Sequence, residues 1–407
     1  MRLTILVLSC AASLLALSPA DQRIAAARQQ VDANPKAFQT YNELAFALCR
    51  KARDTSDISL YDQAATAVDR SLELSAGNYD AMKLRASVLL GKHEFPQALK
   101  LAENLNHKTP DDIGGWALLV DANSALGNYA EAERDAQWIL NLRSGSALGF
   151  EKAAGLRELF GDNEGASEFY EEALRRTAQS DLDQRAWLLT QKARLTLAAG
   201  NPKSAAEILS EASRLFPDSQ LATQVMADVE AANGNYSEAS SLFEKCYEAV
   251  PSSANLYRWA ISLEQSGQKD KADAQFVAFE AKARAEMTHP YNSNLQLIAF
   301  YTDHKNDPAE ALRIATLESA QRQDSVTLAA LAWALYQNGK FAEAKTQMDK
   351  ALAVGIREAS YFCHAALIST KMNNASDAAR FEKELATFPT HSCTADQPVQ
   401  ASLGAAK

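Results

Sequence analysis

Six histidines and five cysteines are the side chains of this 407-residue sequence most suited to acid–base, nucleophilic or metal chemistry. Asp303 precedes His304, a pair that could transfer a proton or bind a metal, and Cys363 precedes His364. Neither pair has a third group at a useful spacing, so ordinary helix positions are the favoured interpretation. The sequence also lacks a Gly-rich phosphate loop, an HExxH motif, a nucleophile elbow and a CxxC pair. It therefore predicts no catalytic residue, no cofactor and no metal.

Residues 1–20 are typical of an export signal. Arg2 gives a positive start, residues 3–17 are apolar, and small residues precede a cleavage point after Ala20. The apolar run is short for a bilayer span, which needs about 20 residues. Cys10 weakly resembles a lipoprotein box, but the large Leu8 does not fit one. We expect an exported, periplasmic or secreted protein without a lipid anchor at Cys10.

Four further cysteines follow this segment. Cys246 occupies a small-residue position of a predicted helix, where packing is its expected role. In an oxidising compartment, Cys363 and Cys393 are the pair to test for a disulfide that would tether the C-terminal tail. The sequence alone does not supply the geometry that such a bond requires, so the pairing stays open.

The chain is acidic and rich in helix-forming residues. It carries 41 Lys and Arg against 51 Asp and Glu, a formal net charge of −10, with no basic block. This balance argues against nucleic acid and anionic lipid as main partners, and leaves neutral or basic proteins open. Two or three domains would be usual for this length, but a repeat array grows along one axis without closing a single core.

The stretch 223–251 shows the element that organises the chain. Gly234 lies in an Asn-Gly-Asn turn and ends a first helix, since the residue after a helix end often takes a positive φ. Apolar residues from Tyr236 to Cys246 then recur every three or four positions, which predicts one face of a second helix, and Pro251 ends it. A helical pair cannot bury its own apolar stripe, so it must stack on neighbours.

Nearly the same unit occurs about ten times within residues 21–388. The turn glycines Gly127 and Gly161 are 34 residues apart, and so are Gly200 and Gly234. Polar insertions interrupt this spacing near residues 50–59, 177–184 and 282–292. The pattern fades after Phe388, which predicts a flexible tail over residues 389–407.

A period near 34 with a Gly-x-[Tyr/Phe]-x-x-Ala turn resembles the tetratricopeptide repeat (TPR) family. The residues that carry the resemblance, with their equivalents in other units, are Trp116, Leu119, Gly127, Tyr129, Ala132 and Ala136. Asn306 and Asn373 depart from the family pattern by replacing the turn glycine. The resemblance implies an all-α, right-handed superhelix, a TPR solenoid of about ten helical hairpins, of the exported bacterial type.

The resemblance also implies a partner site, because the first helix of each TPR hairpin lines a concave groove. Inner residues then lie three, six and ten positions before the turn glycine. The candidate partner-binding residues are Tyr257, Glu264, Phe300, Asp303, Trp333, Tyr336, Arg194 and Asp228. The aromatic members could be exposed peptide anchors or buried core, and both interpretations stay open. As anchors, Trp333 and Tyr336 could be replaced by alanine with loss of partner capture and without melting of the fold.

The sequence thus predicts a non-catalytic scaffold that binds a protein or peptide in its concave groove in the cell envelope. One alternative is an accessory or assembly subunit of an envelope or secretion complex, held by contacts on its convex face. Another is a carbohydrate-active or hydrolytic enzyme that uses Asp228, Glu264 and Asp303. We expect neither a nucleic-acid partner nor an integral membrane span; oligomeric state stays open.

Overall fold

The structure is a computed structural model that describes residues 18–388 and Cys393. This part of the chain forms 21 α-helices joined by short turns. Their bounds are α1 Pro19–Ala33, α2 Phe38–Thr55, α3 Ser59–Leu74, α4 Tyr79–Gly91, α5 Phe95–Lys108, α6 Ile113–Leu126, α7 Tyr129–Leu142, α8 Ala147–Leu159, α9 Asn163–Arg176, α10 Leu182–Ala198, α11 Pro202–Leu215, α12 Gln220–Ala232, α13 Tyr236–Ala249, α14 Ser253–Gln265, α15 Lys269–Glu286, α16 Asn294–Ala299, α17 Pro308–Ser319, α18 Ser325–Gln337, α19 Phe341–Leu352, α20 Ala359–Lys371 and α21 Ala375–Leu385. A π-helical turn, Phe300–His304, continues α16. Residues 1–17 of the predicted signal, and the predicted tail except Cys393, lie outside the described residues.

Helices α2 to α21 pair into ten hairpins, which confirms the expected all-α superhelix. Within each hairpin the two helices pack together, and the second helix packs on the first helix of the next hairpin. First helices of consecutive hairpins also touch along much of the array. Because neighbouring helices approach most closely on the inside of a curve, the first helices form the concave side.

The hairpin α12–α13 shows why the sequence folds in this way. Gly234 takes a φ of +79°, and the N–H of Asn235 bonds back to the carbonyl of Glu230 at 2.9 Å. The chain therefore reverses directly after α12. Ala239 and Cys246 are fully buried on α13, where a small side chain lets adjacent helices cross closely.

Helix α1 precedes the first hairpin, and the repeat pattern does not predict it. Pro19 begins this helix, and the hydroxyl of Ser18 accepts a hydrogen bond from the Asp21 N–H at 3.2 Å. Ala20 is buried in an apolar cluster with side chains of α8 to α11, four hairpins further along the chain. The predicted cleavage point after Ala20 falls within the first turn of α1.

The turn of the third hairpin lies against the start of the ninth. The Tyr129 hydroxyl oxygen accepts a hydrogen bond from the Ser325 N–H at 2.7 Å. Gly127, with a φ of +86°, lies so close that a methyl group on its Cα would be 2.6 Å from the Gln323 carbonyl oxygen. One turn of the superhelix therefore touches the next through backbone and side chain.

The neighbouring hairpins repeat this contact on both sides. The turn of the second hairpin meets the start of the eighth, where the rings of His93 and Tyr291 are 4.7 Å apart. The turn of the fourth meets the start of the tenth, where Gly161 lies against the backbone of Gly355. The hairpin turns of three consecutive hairpins thus join one turn of the superhelix to the next.

The disulfide that the sequence left open is present. Cys363 on α20 is bonded to Cys393, with the two Cα atoms 5.6 Å apart. Cys393 packs on the apolar cluster of the last two hairpins, as does Phe388. None of the described helices combines the length and the apolar content that a bilayer span requires.

Candidate functional site

Charged side chains on the first helices pair between consecutive hairpins. Glu158 forms a two-point ion pair with Arg194 of the following hairpin. Both carboxylate oxygens of Asp228 accept hydrogen bonds from Arg258, at 2.6 and 2.7 Å. The predicted inner residues Arg194 and Asp228 therefore face a neighbouring first helix, and their charges are matched along the concave surface.

Three acids of this surface keep much of their side chain in solvent. The exposed fractions are 41% for Asp121, 40% for Asp228 and 48% for Glu264. Lys152 lies 2.8 Å from Asp121, and the Nδ1 atom of His304 lies 3.4 Å from Glu264. The partly exposed carboxylate oxygens can therefore accept a further contact from a partner while their pairing with Lys152 and Arg258, which are largely buried, stays in place.

The four aromatic candidates are buried. Tyr257, Phe300, Trp333 and Tyr336 are each no more than 7% exposed. The ring of Tyr257 lies 4.8 Å from that of Phe279, on the second helix of the same hairpin. Core packing is therefore the correct interpretation, and exposed anchors the wrong one, because close stacking of the later hairpins encloses these rings between helices.

Trp333 is the centre of a stacked column that joins three hairpins. Its ring lies 3.9 Å from the ring of His364 and 4.8 Å from that of Tyr336, nearly parallel to both. Its indole N–H donates to the carboxylate of Asp303 at 3.2 Å. Replacement of Trp333 and Tyr336 by alanine would thus remove core packing, which corrects the expectation that the fold would tolerate it.

Burial also determines the charge of the polar groups around this column. It lowers the pKa of His364 to about 3, so the imidazole is neutral at pH 7. Burial also raises the pKa of the Asp303 carboxyl, and the hydrogen bond from Trp333 opposes this by lowering the same pKa. Among residues 18–388 and Cys393, no group of three or more His, Cys, Asp and Glu side chains is placed to hold a metal.

The polar insertions at residues 50–59 and 177–184 meet across the concave surface. Residues 50–55 form the last turns of α2, and residues 177–181 lead into α10. The guanidinium of Arg50 donates to both oxygens of Asp181, at 2.5 and 3.3 Å. Arg53 donates to Gln184 at 2.9 Å and lies 5.3 Å above the ring of Trp187.

Asp183 is the most deeply buried acid of this contact, with its side chain 1% exposed. Arg23 of α1 donates to both of its oxygens, at 3.1 and 2.7 Å, and the Nε atom of Arg50 lies 2.9 Å away. A buried carboxylate is stable only with close cations, and α1 and α2 supply them. Helix α2 also contacts α12, so the N-terminal helices lie on the concave side of hairpins five and six.

Sequence reasoning did not predict this cluster, although a signal was available. The first insertion begins Arg-Lys-Ala-Arg, while residues 177–184 carry two aspartates and no basic residue. Complementary charges in two interruptions of one repeat pattern could have indicated a contact between them. The 34-residue period hides it, because it places the two segments more than three repeats apart.

These features define a class: an α-helical solenoid that acts as a protein–protein interaction scaffold. Two segments match sequence models of the tetratricopeptide repeat, residues 190–254 and residues 326–360. The chain is a tetratricopeptide repeat protein, as the turn residues predicted.

A short segment resembles a curated protein. Over 46 residues the chain is 48% identical to the putative beta-barrel assembly-enhancing protease of Vibrio cholerae serotype O1. The match covers 11% of this chain and only 10% of that protein. The similarity is therefore confined to about one repeat and a third.

Two solved structures share the fold over most of the chain. The Cut9–Hcn1 hetero-tetramer of APC/C gives a TM-score of 0.54 at 13% identity, over 89% of this chain and 60% of that one. The human IFIT1 dimer with PPP-AAAA gives 0.50 at 13% identity, over 90% of this chain and 94% of that one. At this identity the likeness shows the all-α superhelix and nothing about ligands.

Proposed function

We propose that this protein is a non-catalytic scaffold of the cell envelope that binds a protein or peptide on its concave surface. The observation that carries the proposal is the row of half-exposed acids Asp121, Asp228 and Glu264 on the first helices. Acids held by ordered helices favour a partner with basic side chains, since complementary charge steers association. Because the helices are already ordered, the scaffold loses little entropy on binding.

Three observations support a place in the envelope. Residues 1–20 have the pattern of an export signal. The Cys363–Cys393 disulfide is of a kind that persists in oxidising compartments. The 46-residue similarity is to a protein named for beta-barrel assembly. We infer an exported protein, periplasmic or secreted.

Cross-linking in cells, followed by identification of the captured proteins, tests the concave surface. The inner variant is Asp121→Asn with Asp228→Asn and Glu264→Gln. Its matched control removes three acids from exposed positions of second helices: Asp69→Asn, Glu73→Gln and Glu343→Gln. We expect the inner variant to lose most capture and the control to retain it, with equal melting temperatures. Equal capture by both variants would contradict binding at these acids.

A convex site is the second candidate, because one exposed aromatic favours it. Trp138 lies exposed on α7, an outer helix, with its ring 5.8 Å from that of Trp116. An accessory subunit held by lateral contacts would use such a surface. Loss of capture in Trp138→Ser, with the inner variant unaffected, would move the binding site to the convex face.

The enzyme alternative gains no comparable support. Each of its three carboxylates contacts a side chain of the next hairpin: Asp228 with Arg258, Glu264 with His304 and Asp303 with Trp333. These contacts join hairpins, a structural role that needs no substrate.

A further inference from the structure

We propose that the concave surface at the start of hairpin five binds a basic helical segment with two arginines three residues apart. We call this surface the acidic face and define it as Asp181, Asp183, Gln184 and Trp187 of hairpin five with Glu151 of α8, which accepts a hydrogen bond from Gln184 at 2.7 Å. The protein's own helix α2 occupies it in this structure. The proposal rests on the proposed function, because it names the chemistry of a partner for the same concave surface.

Helix α2 shows what the acidic face recognises. Arg50 and Arg53 lie on one side of the helix, as residues three apart do. Arg50 reaches the carboxylate of Asp181, while Arg53 donates to Gln184 and stacks over Trp187. The ion pair of Arg50 and the cation–π contact of Arg53 are one helical turn apart, so together they form a binding site for an Arg-x-x-Arg segment.

The buried carboxylate of Asp183 in the acidic face is stable only with a cation next to it. The side chain of Asp183 is 1% exposed, and its nearest cations, Arg23 and Arg50, come from α1 and α2. If these helices moved away, Asp183 would face the concave surface without a counter-charge. A basic segment of a partner would supply the missing cation beside Asp183. We therefore expect a partner to bind by replacing α2 on the acidic face.

A cleft of about 460 Å³ that opens to solvent lies between α1 and the start of α10, with Arg23, Leu182, Asp183 and Phe216 in its lining. At the adjoining contact, one guanidinium nitrogen of Arg53, Nη2, is buried without a hydrogen-bond partner. A buried donor without a partner weakens this contact, which lowers the cost of releasing α2.

Release of α2 does not require hairpin one to unfold. The buried apolar residues of α2, Ala45, Leu48 and Ala52, belong to a cluster that also includes α3, Ile24 of α1 and Val88 of α4. The contacts to the acidic face come from other side chains of α2, chiefly Arg50 and Arg53. Hairpin one can therefore leave the acidic face with its α2–α3 contacts in place, while its contacts to Ile24 of α1 and Val88 of α4 loosen.

A synthetic peptide tests the proposal on the full chain. Its sequence is that of residues 38–57 with Cys49→Ser, and fluorescence anisotropy reports its binding. A variant with Arg23→Gln, Arg50→Gln and Arg53→Gln should vacate the acidic face and bind the peptide at least tenfold more tightly than the unaltered protein. Adding Asp181→Asn and Asp183→Asn should abolish that gain. A control peptide that also carries Arg50→Gln and Arg53→Gln should show no gain.

A second measurement needs no altered protein. Saturating peptide should speed amide hydrogen exchange in α1 and α2 of the unaltered chain, because the peptide displaces them, and the control peptide should not. Equal binding of both peptides, or unchanged exchange in α1 and α2, would overturn the proposal. Asp181 and Asp183 are not among the acids replaced in the capture experiment, so this failure would leave the scaffold function standing.

Discussion

Contact between superhelical turns predicts that two similar glycines differ sharply in their tolerance of alanine. Gly127 and Gly234 both end a first helix, with φ values of +86° and +79°. Alanine in this left-handed region costs about 1–2 kcal/mol at either position. Gly234 has open space around its Cα, whereas a methyl group on Gly127 would lie 2.6 Å from the Gln323 carbonyl oxygen and 2.8 Å from its carbon.

The second cost at Gly127 comes from displacement of the ninth hairpin. Overpacking against backbone costs about 1–3 kcal/mol. If the shift also breaks the hydrogen bond between Tyr129 and the Ser325 N–H, about 1 kcal/mol more is lost. We therefore expect Gly127→Ala to destabilise the protein by about 2–4 kcal/mol more than Gly234→Ala.

Urea denaturation of the two variants measures this difference, and hydrogen exchange locates it. The Ser325 amide should exchange faster in Gly127→Ala and at the unaltered rate in Gly234→Ala. Tyr129→Phe is a milder control that removes only the hydroxyl acceptor. Equal unfolding midpoints for the two alanine variants, with a protected Ser325 amide in both, would refute contact between the turns.

Two further predictions concern the stacked column around Trp333. Trp333→Ala should lower the free energy of unfolding by about 3–5 kcal/mol, because the ring is buried. Trp138→Ala, at an exposed position, should lower it far less. Similar urea midpoints for the two variants would contradict the burial of Trp333. His364 has a pKa of about 3 in the fold against about 6.5 unfolded, so its contribution is present above pH 6.5 and is lost as the pH falls towards 3. His364→Phe keeps a stacked ring that does not titrate. Between pH 7 and pH 4.5 the unaltered protein should therefore lose about 2–3 kcal/mol more stability than this variant, as measured by urea denaturation at each pH. Equal losses for the two proteins would show that His364 is not a buried, neutral imidazole.

The hairpins were predictable because their signals are local. Gly234 ends a helix through its own backbone conformation, and Ala239 marks a close crossing between helices that are adjacent in the chain. These signals recur with one period, so each copy supports the others. Helix α1 was missed because it precedes the first hairpin and falls outside that period, although it packs on α2.

The site was only partly predictable. Counting from the turn glycine placed Arg194 and Asp228 on first helices, but the count cannot separate exposed from buried inner positions. Trp333 and Asp228 stand at the same place in their repeats, six residues before the turn, yet one is core and the other half-exposed. What differs is how closely neighbouring hairpins approach, which depends on side chains from several helices at once.

The sequence by itself determined the repeated hairpin, the all-α class and the family, since each rests on residues within about 34 positions of one another. Only the tertiary structure decided that the third hairpin touches the ninth, and that Arg50 of α2 meets Asp181 across the concave surface. The physical reason is that the pitch of a superhelix sums many small rotations between hairpins. No single repeat encodes that sum, so contacts between distant turns emerge only when the whole array is assembled.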